Sequence, residues 1–257
     1  MYSSLHNHSY YSLLDGYGSP NEMLDRAKEI GLKAFAITEH GNVYSHIYFD
    51  SIKKDYPDIK IIYGCELYEC NDIAVKDKEN KYFHLVALIR NEQGRKDLNK
   101  IITKSNFEGF YFKPRCTVED IKPYAKNLVI TSACLASKLA RESDFNICVE
   151  YIKEYRKAFP HFYLEMQSHS HEDQARYNQK ILKLSEITGT PFTITTDSHA
   201  AKKEDLYYQD KLIKIGRNST NNDKSAIENS EVYEGCYMQS EDEIHKCMDS
   251  QIGYDNV

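Results

Sequence analysis

No stretch of the 257-residue chain approaches the ~20 consecutive apolar residues that a membrane-spanning helix requires, so no membrane partner is expected. The start, MYSSLHNHSYYSLLDG, lacks a basic segment followed by an apolar one, and no signal peptide is expected. Seven cysteines are scattered without any C-x-x-C pair. That odd, dispersed set argues against a disulfide framework or a cysteine-rich structural zinc site and fits reduced thiols in a cytoplasm. A basic tract is also missing: net charge is −6, whereas proteins that hold duplex nucleic acid through many phosphates present a basic face. No internal repeat is found. What remains is 41% apolar and 28% charged, the composition of a soluble globular chain, long enough for one large α/β domain or two small ones.

Up to about Gly216, strand-like and helix-like stretches alternate. SSLHNHS reads as a short strand. SPNEMLDRAKEIG reads as a helix capped by Ser19, with Pro20 at its first position and Gly31 at its end. LKAFAIT, IKIIYGCELYEC, YFHLVALIR, NLVITSAC, HFYLEMQSH and PFTITTDSH are strands. NEQGRKDLNKIITKSN, DFNICVEYIKEYRKAFP, HEDQARYNQKILKLSEITG and KEDLYYQDKLIKIG are helices. The alternation predicts a largely parallel sheet with helices outside it. Past residue 216 the texture changes. RNSTNNDKSAIENS is a polar loop and SEDEIHKCMDSQIG one short helix. The expected organisation is therefore a domain over 1–216 and a C-terminal appendage over 217–257.

Polar donors gather near strand ends. Side chains at i and i+2 of a strand share a face, so His6 and His8 aim two imidazoles at one point, which suits a divalent metal. Asp15 follows. Glu39 and His40 come after the second strand, Glu66 lies in the third, His84 starts another, Cys134 follows VITSA, and Asp197 and His199 follow FTITT. Singly, each has an ordinary use. His40 can cap a turn, His84 can be a satisfied core histidine, Cys134 a small buried hydrophobe, and Asp197-x-His199 a turn. Glu66 inside an apolar run needs a partner, because an unpaired buried carboxylate is costly. Jointly they point to one face formed by the loops at the strand ends.

The ordered segments HNHSYYSLLDG, AITEHGN, YGCELY, HLVAL, EGFYFKPR, TSAC, FYLEMQSH and TTDSH resemble those of the PHP (polymerase and histidinol phosphatase) domain family, in the version at the amino terminus of bacterial DNA polymerase III alpha subunits. SEVYEGCYMQSEDEI is similar to the segment that closes that domain. The resemblance implies a distorted seven-stranded (β/α) barrel and three divalent metal ions. His6, His8, Glu66 and Asp197 would hold the first ion. Glu66 would bridge to a second, completed by His84 and Cys134, and Asp15, His40 and His199 would hold the third. Glu39 stands where the polymerase relatives usually carry Asp; it is expected to lie outside the ligand set and to affect how His40 is oriented.

Imidazole-rich ligation suits zinc, and the added carboxylates admit manganese or iron. Metal ions activate water and neutralise a phosphate, and three divalent charges outweigh those of Glu66, Asp15, Asp197 and a Cys134 thiolate. The pocket therefore attracts an anion inside an acidic protein. Glu66, His8 and Asp197 are the residues expected to be indispensable to catalysis. Lys113 and Arg115 of YFKPR are candidates to hold a phosphate, against a solvated loop. His169 is a candidate pocket acid or substrate contact, against a surface histidine in SHSHED. The expected activity is a phosphoesterase, foremost a 3′–5′ exonuclease on single-stranded DNA. The alternatives are a phosphatase of a small phosphomonoester, or a module that supports a DNA polymerase without its own catalysis.

Overall fold

Local chemistry sets the first helix where the sequence places it. Ser19 N donates to Glu22 Oε2 at 2.6 Å and Glu22 N to Ser19 Oγ at 3.3 Å, a reciprocal cap. Pro20 occupies the first turn, which needs no N–H, and Gly31 follows the end at φ +75°. The resulting α1 (Pro20–Glu29) buries Met23, Leu24 and Ala27. The computed structural model describes residues 2–77, 82–216 and 234–252. The polar stretch RNSTNNDKSAIENS, expected to be a loop, lies outside them.

The strands are β1 (Ala34–Ile37), β2 (Lys60–Glu69), β3 (Phe83–Ile89), β4 (Arg115–Cys116), β5 (Leu128–Thr131), β6 (Phe162–Gln167) and β7 (Phe192–Thr195). They form one seven-stranded sheet in the order β1-β2-β3-β5-β6-β7, with β4 extending the β1 edge of β2. The sheet curls into a half-barrel. It is parallel except at β3, which runs antiparallel to both β2 and β5. The described part of the β2–β3 connection contains no helix, and a parallel neighbour needs a crossover. The N-terminal segment, expected as a strand, makes only isolated bridges, Ser4 to Phe35 and Asn7 to Ser198. These two bridges tie the β1 end of the sheet to the chain leaving β7. Asn7 secures the seam by donating to the Ala36 carbonyl at 2.7 Å.

Helices cover the outside: α2 (His46–Ile52), α3 (Glu92–Phe107), α4 (Val118–Ile121), α5 (Lys138–Arg141), α6 (Phe145–Ala158), α7 (Glu172–Thr188), α8 (Leu206–Gly216) and α9 (Glu241–Ile252). Helix α2 escapes the sequence reading because Ser45 makes no side-chain cap and the helix is short. Strand alternation sorts the side chains. Cys65, Leu67, Leu85 and Ala87 point outward into a core with Leu98 of α3, Ile152 of α6 and Ile181 of α7. Val86 and Leu88 line the thinner interior cluster with Ala36 and Ala133. No described helix is long and apolar enough to cross a membrane.

The tail is more firmly placed than an appendage. Ile244 and Met248 of α9 belong to the main core, and buried Met238 belongs to the cluster around Phe35 and Phe49. Asn178 Nδ2 also donates to Gln251 Oε1 at 2.6 Å. Truncating Met248 to alanine is therefore expected to lower unfolding free energy by about 2–5 kcal/mol, read by chemical denaturation of the full chain. A loss below about 0.5 kcal/mol, the range of ordinary surface substitutions, would show α9 to be dispensable.

Candidate metal centre

Strand β2 carries the anchor. Alternation that sends Cys65 and Leu67 outward turns Glu66 inward, where it is fully buried. Chain beyond β1 continues along the β2 edge: Gly41 N donates to Glu66 O at 2.8 Å and Glu66 N to Glu39 O at 3.1 Å. That bridge sets His40 beside Glu66. Gly41 then turns the chain at φ +61°, and a Cβ there would lie 2.7 Å from the Tyr68 ring. Across the sheet, Glu66 pairs with Val86, so His84 shares the face of Glu66 one pleat away. Because β3 runs antiparallel, the start of β3 lies at the same barrel end as the close of its parallel neighbours. His84 thereby joins donors that follow β1, β5 and β7.

The nine residues expected as ligands converge. Glu66 Oε1 lies 3.2 Å from His6 Nε2, 2.9 Å from His84 Nδ1 and 3.7 Å from Cys134 Sγ. Its Oε2 lies 2.5 Å from His40 Nδ1 and 3.7 Å from His8 Nε2. Asp197 Oδ1 stands 3.3 Å from His6 Nε2, 3.4 Å from His8 Nε2 and 3.6 Å from His199 Nδ1. Asp15 Oδ2 is 2.8 Å from His40 Nε2 and 3.6 Å from His199 Nε2. His8 stacks between His40 and His199, at centroid distances of 4.1 and 4.3 Å. The buried floor is His6, His8 and Glu66; Asp15, His40 and His84 are partly open to solvent.

His6 Nε2, His8 Nε2, His40 Nδ1, Glu66 Oε2 and Asp197 Oδ1 are all buried and cluster at imidazole–carboxylate distances of 2.5–3.7 Å. Three sets of donor atoms lie within 4.8 Å of one another: His8 with His40 and His199, His6 with His8 and Glu66, and His40 with Glu66 and His84. Divalent cations fit this donor chemistry, which mixes imidazole and carboxylate with a nearby thiol.

Electrostatics agree. Burial opposes a charge on His6, but Asp197, Glu165 and Glu66 outweigh it and hold the ring well above its usual range. Burial likewise opposes His40, yet Glu66 and Asp15 raise it to about 9. Burial would raise Glu66, but His84, His40 and His6 draw it well below the carboxylate range. His8, buried between His40 and His199, is pushed well down. Burial, with Glu66 and Asp197, raises the Cys134 thiol. The carboxylates thus favour protonated His6 and His40, and metal binding displaces protons from such ligands.

An outer layer aims the rings, and sequence reading left most of it unassigned. His6 Nδ1 is 2.7 Å from Glu165 Oε1, a carboxylate–histidine pair that fixes the tautomer. Glu165 in turn accepts from Thr131 and from Thr195 at 2.7 Å. The signal that marks Glu66, an acid inside an apolar strand, also marks Glu165 in FYLEMQ. Ser12 Oγ contacts His8 Nδ1 at 2.9 Å and donates to Glu39 Oε2 at 2.6 Å. Glu39 therefore supports the His8 ring through Ser12. The His40 backbone N–H donates to the same hydroxyl at 3.1 Å.

The three expected phosphate or substrate contacts separate. Lys113 is exposed, with Nζ 5.5 Å from the Tyr68 ring centroid, and that ring is 5.3 Å from His84. Arg115 requires correction: only 1% exposed, it donates through Nε, Nη1 and Nη2 to the carbonyls of Gly109, Val75 and Ile73. A guanidinium engaged this way clasps two loops and is not presented to a phosphate. His169 also requires correction. It is buried, with Nε2 2.7 Å from Thr196 O and 3.7 Å from Cys236 Sγ, and so supports the chain around His199, whose N–H donates to Cys236 O. Backbone strain marks the same places. The non-glycine residues at positive φ are Leu14, Phe112, Ala133 and Asp197; each is, or immediately precedes, one of the expected site residues, and such strain collects at functional loops.

A family model described as PHP domain matches residues 4–169. Among curated proteins, the DNA polymerase III subunit alpha of Borreliella burgdorferi is 34% identical over 239 residues, covering 89% of this chain and 21% of its own. That of Helicobacter pylori is 31% identical over 261 residues, covering 95% and 21%. The chain thus spans about a fifth of the length of these relatives. Among solved structures, a Bifidobacterium adolescentis protein described as a metal-dependent phosphoesterase aligns over 99% of this chain and 98% of its own, with TM-score 0.51 and 12% identity. That similarity establishes a shared fold.

Glu165→Gln keeps the size of the outer partner of His6 and removes its charge. Metal affinity, measured by competition with a chromophoric chelator, is expected to fall about 10–100-fold. Unchanged affinity would show that Glu165 only packs the barrel.

Proposed function

The chain belongs to the PHP domain family, and on that premise we propose that it is a metal-dependent hydrolase of phosphate esters that shortens single-stranded DNA from its 3′ end. The convergence of the His6, His8, His40 and His84 imidazoles on the buried Glu66 carboxylate, with Asp197 beside His6 and His8, carries the reading. Three divalent ions, zinc or manganese, are held as follows: His6, His8, Glu66 and Asp197 on the first, Glu66 with His84 and Cys134 on the second, Asp15, His40 and His199 on the third. Bound there, they supply charge neutralisation for the phosphate and acidify a water. Glu66 would keep two ions together: its Oε1 lies near His6 of the first set and near His84 and Cys134 of the second. Asp197 and Asp15 flank His199 and set its direction. Lys113, at the exposed edge beside Tyr68, steadies the phosphate that enters.

DNA is preferred over a small monoester because the similar curated proteins are polymerase subunits. In this reading the domain works in the cytoplasm in association with a DNA polymerase. A site that grips one terminal phosphodiester through ions, in a chain of net charge −6, gives modest binding with a shallow salt slope. Duplex ends are poorer substrates, since unpairing costs a few kcal/mol.

With added manganese, a 5′-labelled oligonucleotide is expected to yield a ladder, whereas a 3′-labelled one releases its label at once. Elemental analysis should find two to three ions per chain. Glu66→Ala is expected to reduce turnover more than about a hundredfold, beyond the effect of an outer partner, and Asp197→Asn to abolish the ladder. A ladder that survives Asp197→Asn is a contaminant's. Cleavage of small monoesters alone establishes the phosphatase alternative, and less than one bound ion with no cleavage establishes a supporting module.

A further inference from the structure

The rim of the metal centre is aromatic. On the His199 side, Tyr17 N donates to His199 O at 2.6 Å, and the Tyr17 ring stacks on Tyr208 with centroids 5.2 Å apart and 21° between planes. Tyr207 and Tyr208, in the first turn of α8, are 64% and 51% exposed. Lys211, one turn on, places Nζ 4.9 Å from the Tyr207 centroid. On the His40–His84 side, Phe112 is 55% exposed at φ +61° and adjoins Lys113. Single exposed rings are ordinary, but Tyr17, Tyr208 and Tyr207 form one group, with Tyr208 and Tyr207 centroids 5.4 Å apart.

We propose that Tyr17, Tyr207 and Tyr208, with Phe112 at the other edge, form a platform on which unpaired bases of single-stranded nucleic acid stack. The assignment deepens the proposed nuclease reading and rests on it for the identity of the strand's end. Bases suit this surface better than a protein segment does. Its rings carry cations on their faces or at their side, the pairing of π-surface and point charge that a single strand uses. Tyr17 ties it to the donor loops through its backbone bond to His199. In a chain of net charge −6 without a basic tract, stacking must provide affinity that phosphate contacts do not. Tyr17 sits two residues after Asp15, so a stacked base lies close to the proposed ions.

The test measures binding of the full chain by fluorescence anisotropy, using oligo(dT) and an abasic oligonucleotide of the same length. Both present the same phosphates, and only one presents bases. Wild type is expected to bind oligo(dT) about ten- to a hundredfold more tightly. The pair Tyr207→Ala and Tyr208→Ala is expected to shrink that preference below about threefold while abasic binding stays constant; Tyr208→Phe, which keeps the ring, should retain it. A wild type without base preference overturns the platform. So do alanine variants that weaken both ligands alike, the result expected if these rings hold protein structure. Because turnover is not needed, base-preferring binding of an oligonucleotide that is never shortened supports the platform and overturns the exonuclease reading, while shortening without base preference does the reverse.

Discussion

Glu66 is the residue around which this molecule is arranged. A fully buried carboxylate faces four imidazoles and a thiol within 3.7 Å. Among the described residues no lysine or arginine nitrogen forms an ion pair with it. Burying such a charge without compensation is strongly unfavourable. His6 and His40, held above the usual imidazole range by the carboxylates around them, answer part of that demand. The barrel end is thus an anion-lined, imidazole-walled cup whose chemistry calls for divalent cations.

Fold geometry meets that demand through register. The bridge between His40 and Glu66 continues the β1–β2 ladder past the end of β1. Pairing of Glu66 with Val86 puts His84 on the same face. The reversed direction of β3 brings the beginning of that strand to the end where its neighbours finish. The outer layer then holds the rings still: Glu165 on His6, Ser12 and Glu39 on His8, and the Asp197 carbonyl on His199 Nδ1 at 2.8 Å. Left-handed backbone at Leu14, Ala133 and Asp197 re-aims the chain just where Asp15, Cys134 and Asp197 must turn inward. A well-packed outer core, with Ile152, Ile181 and Met248 fully buried, lets these strained loops persist.

Much of this was legible in the residues. Ser19, Pro20 and Gly31 mark α1 because caps are local chemistry. Near-continuous apolar runs mark β2 and β3 because both faces of these strands are buried. Donors at strand ends mark the site because loops there share a face of an α/β barrel. Less legible were Arg115 and His169. An arginine or histidine in a loop looks the same in sequence whether its polar atoms meet carbonyls or solvent. Glu165 was visible as an acid in an apolar strand, but its partner lies 159 positions away.

The sequence by itself determined which ligand-capable residues stand near strand ends, where capped helices such as α1 begin and end, and that the chain is acidic without a basic tract. Those properties follow from side-chain type and short-range periodicity. Tertiary structure alone decided that β3 is reversed, that the N-terminal segment is a seam between Phe35 and Ser198, and that α9 belongs to the core. It also decided which carboxylate aims which imidazole and which aromatic rings gather at the rim. Each of these depends on contacts between positions far apart in the chain, and the energy that selects among them comes from packing and burial that no local stretch contains.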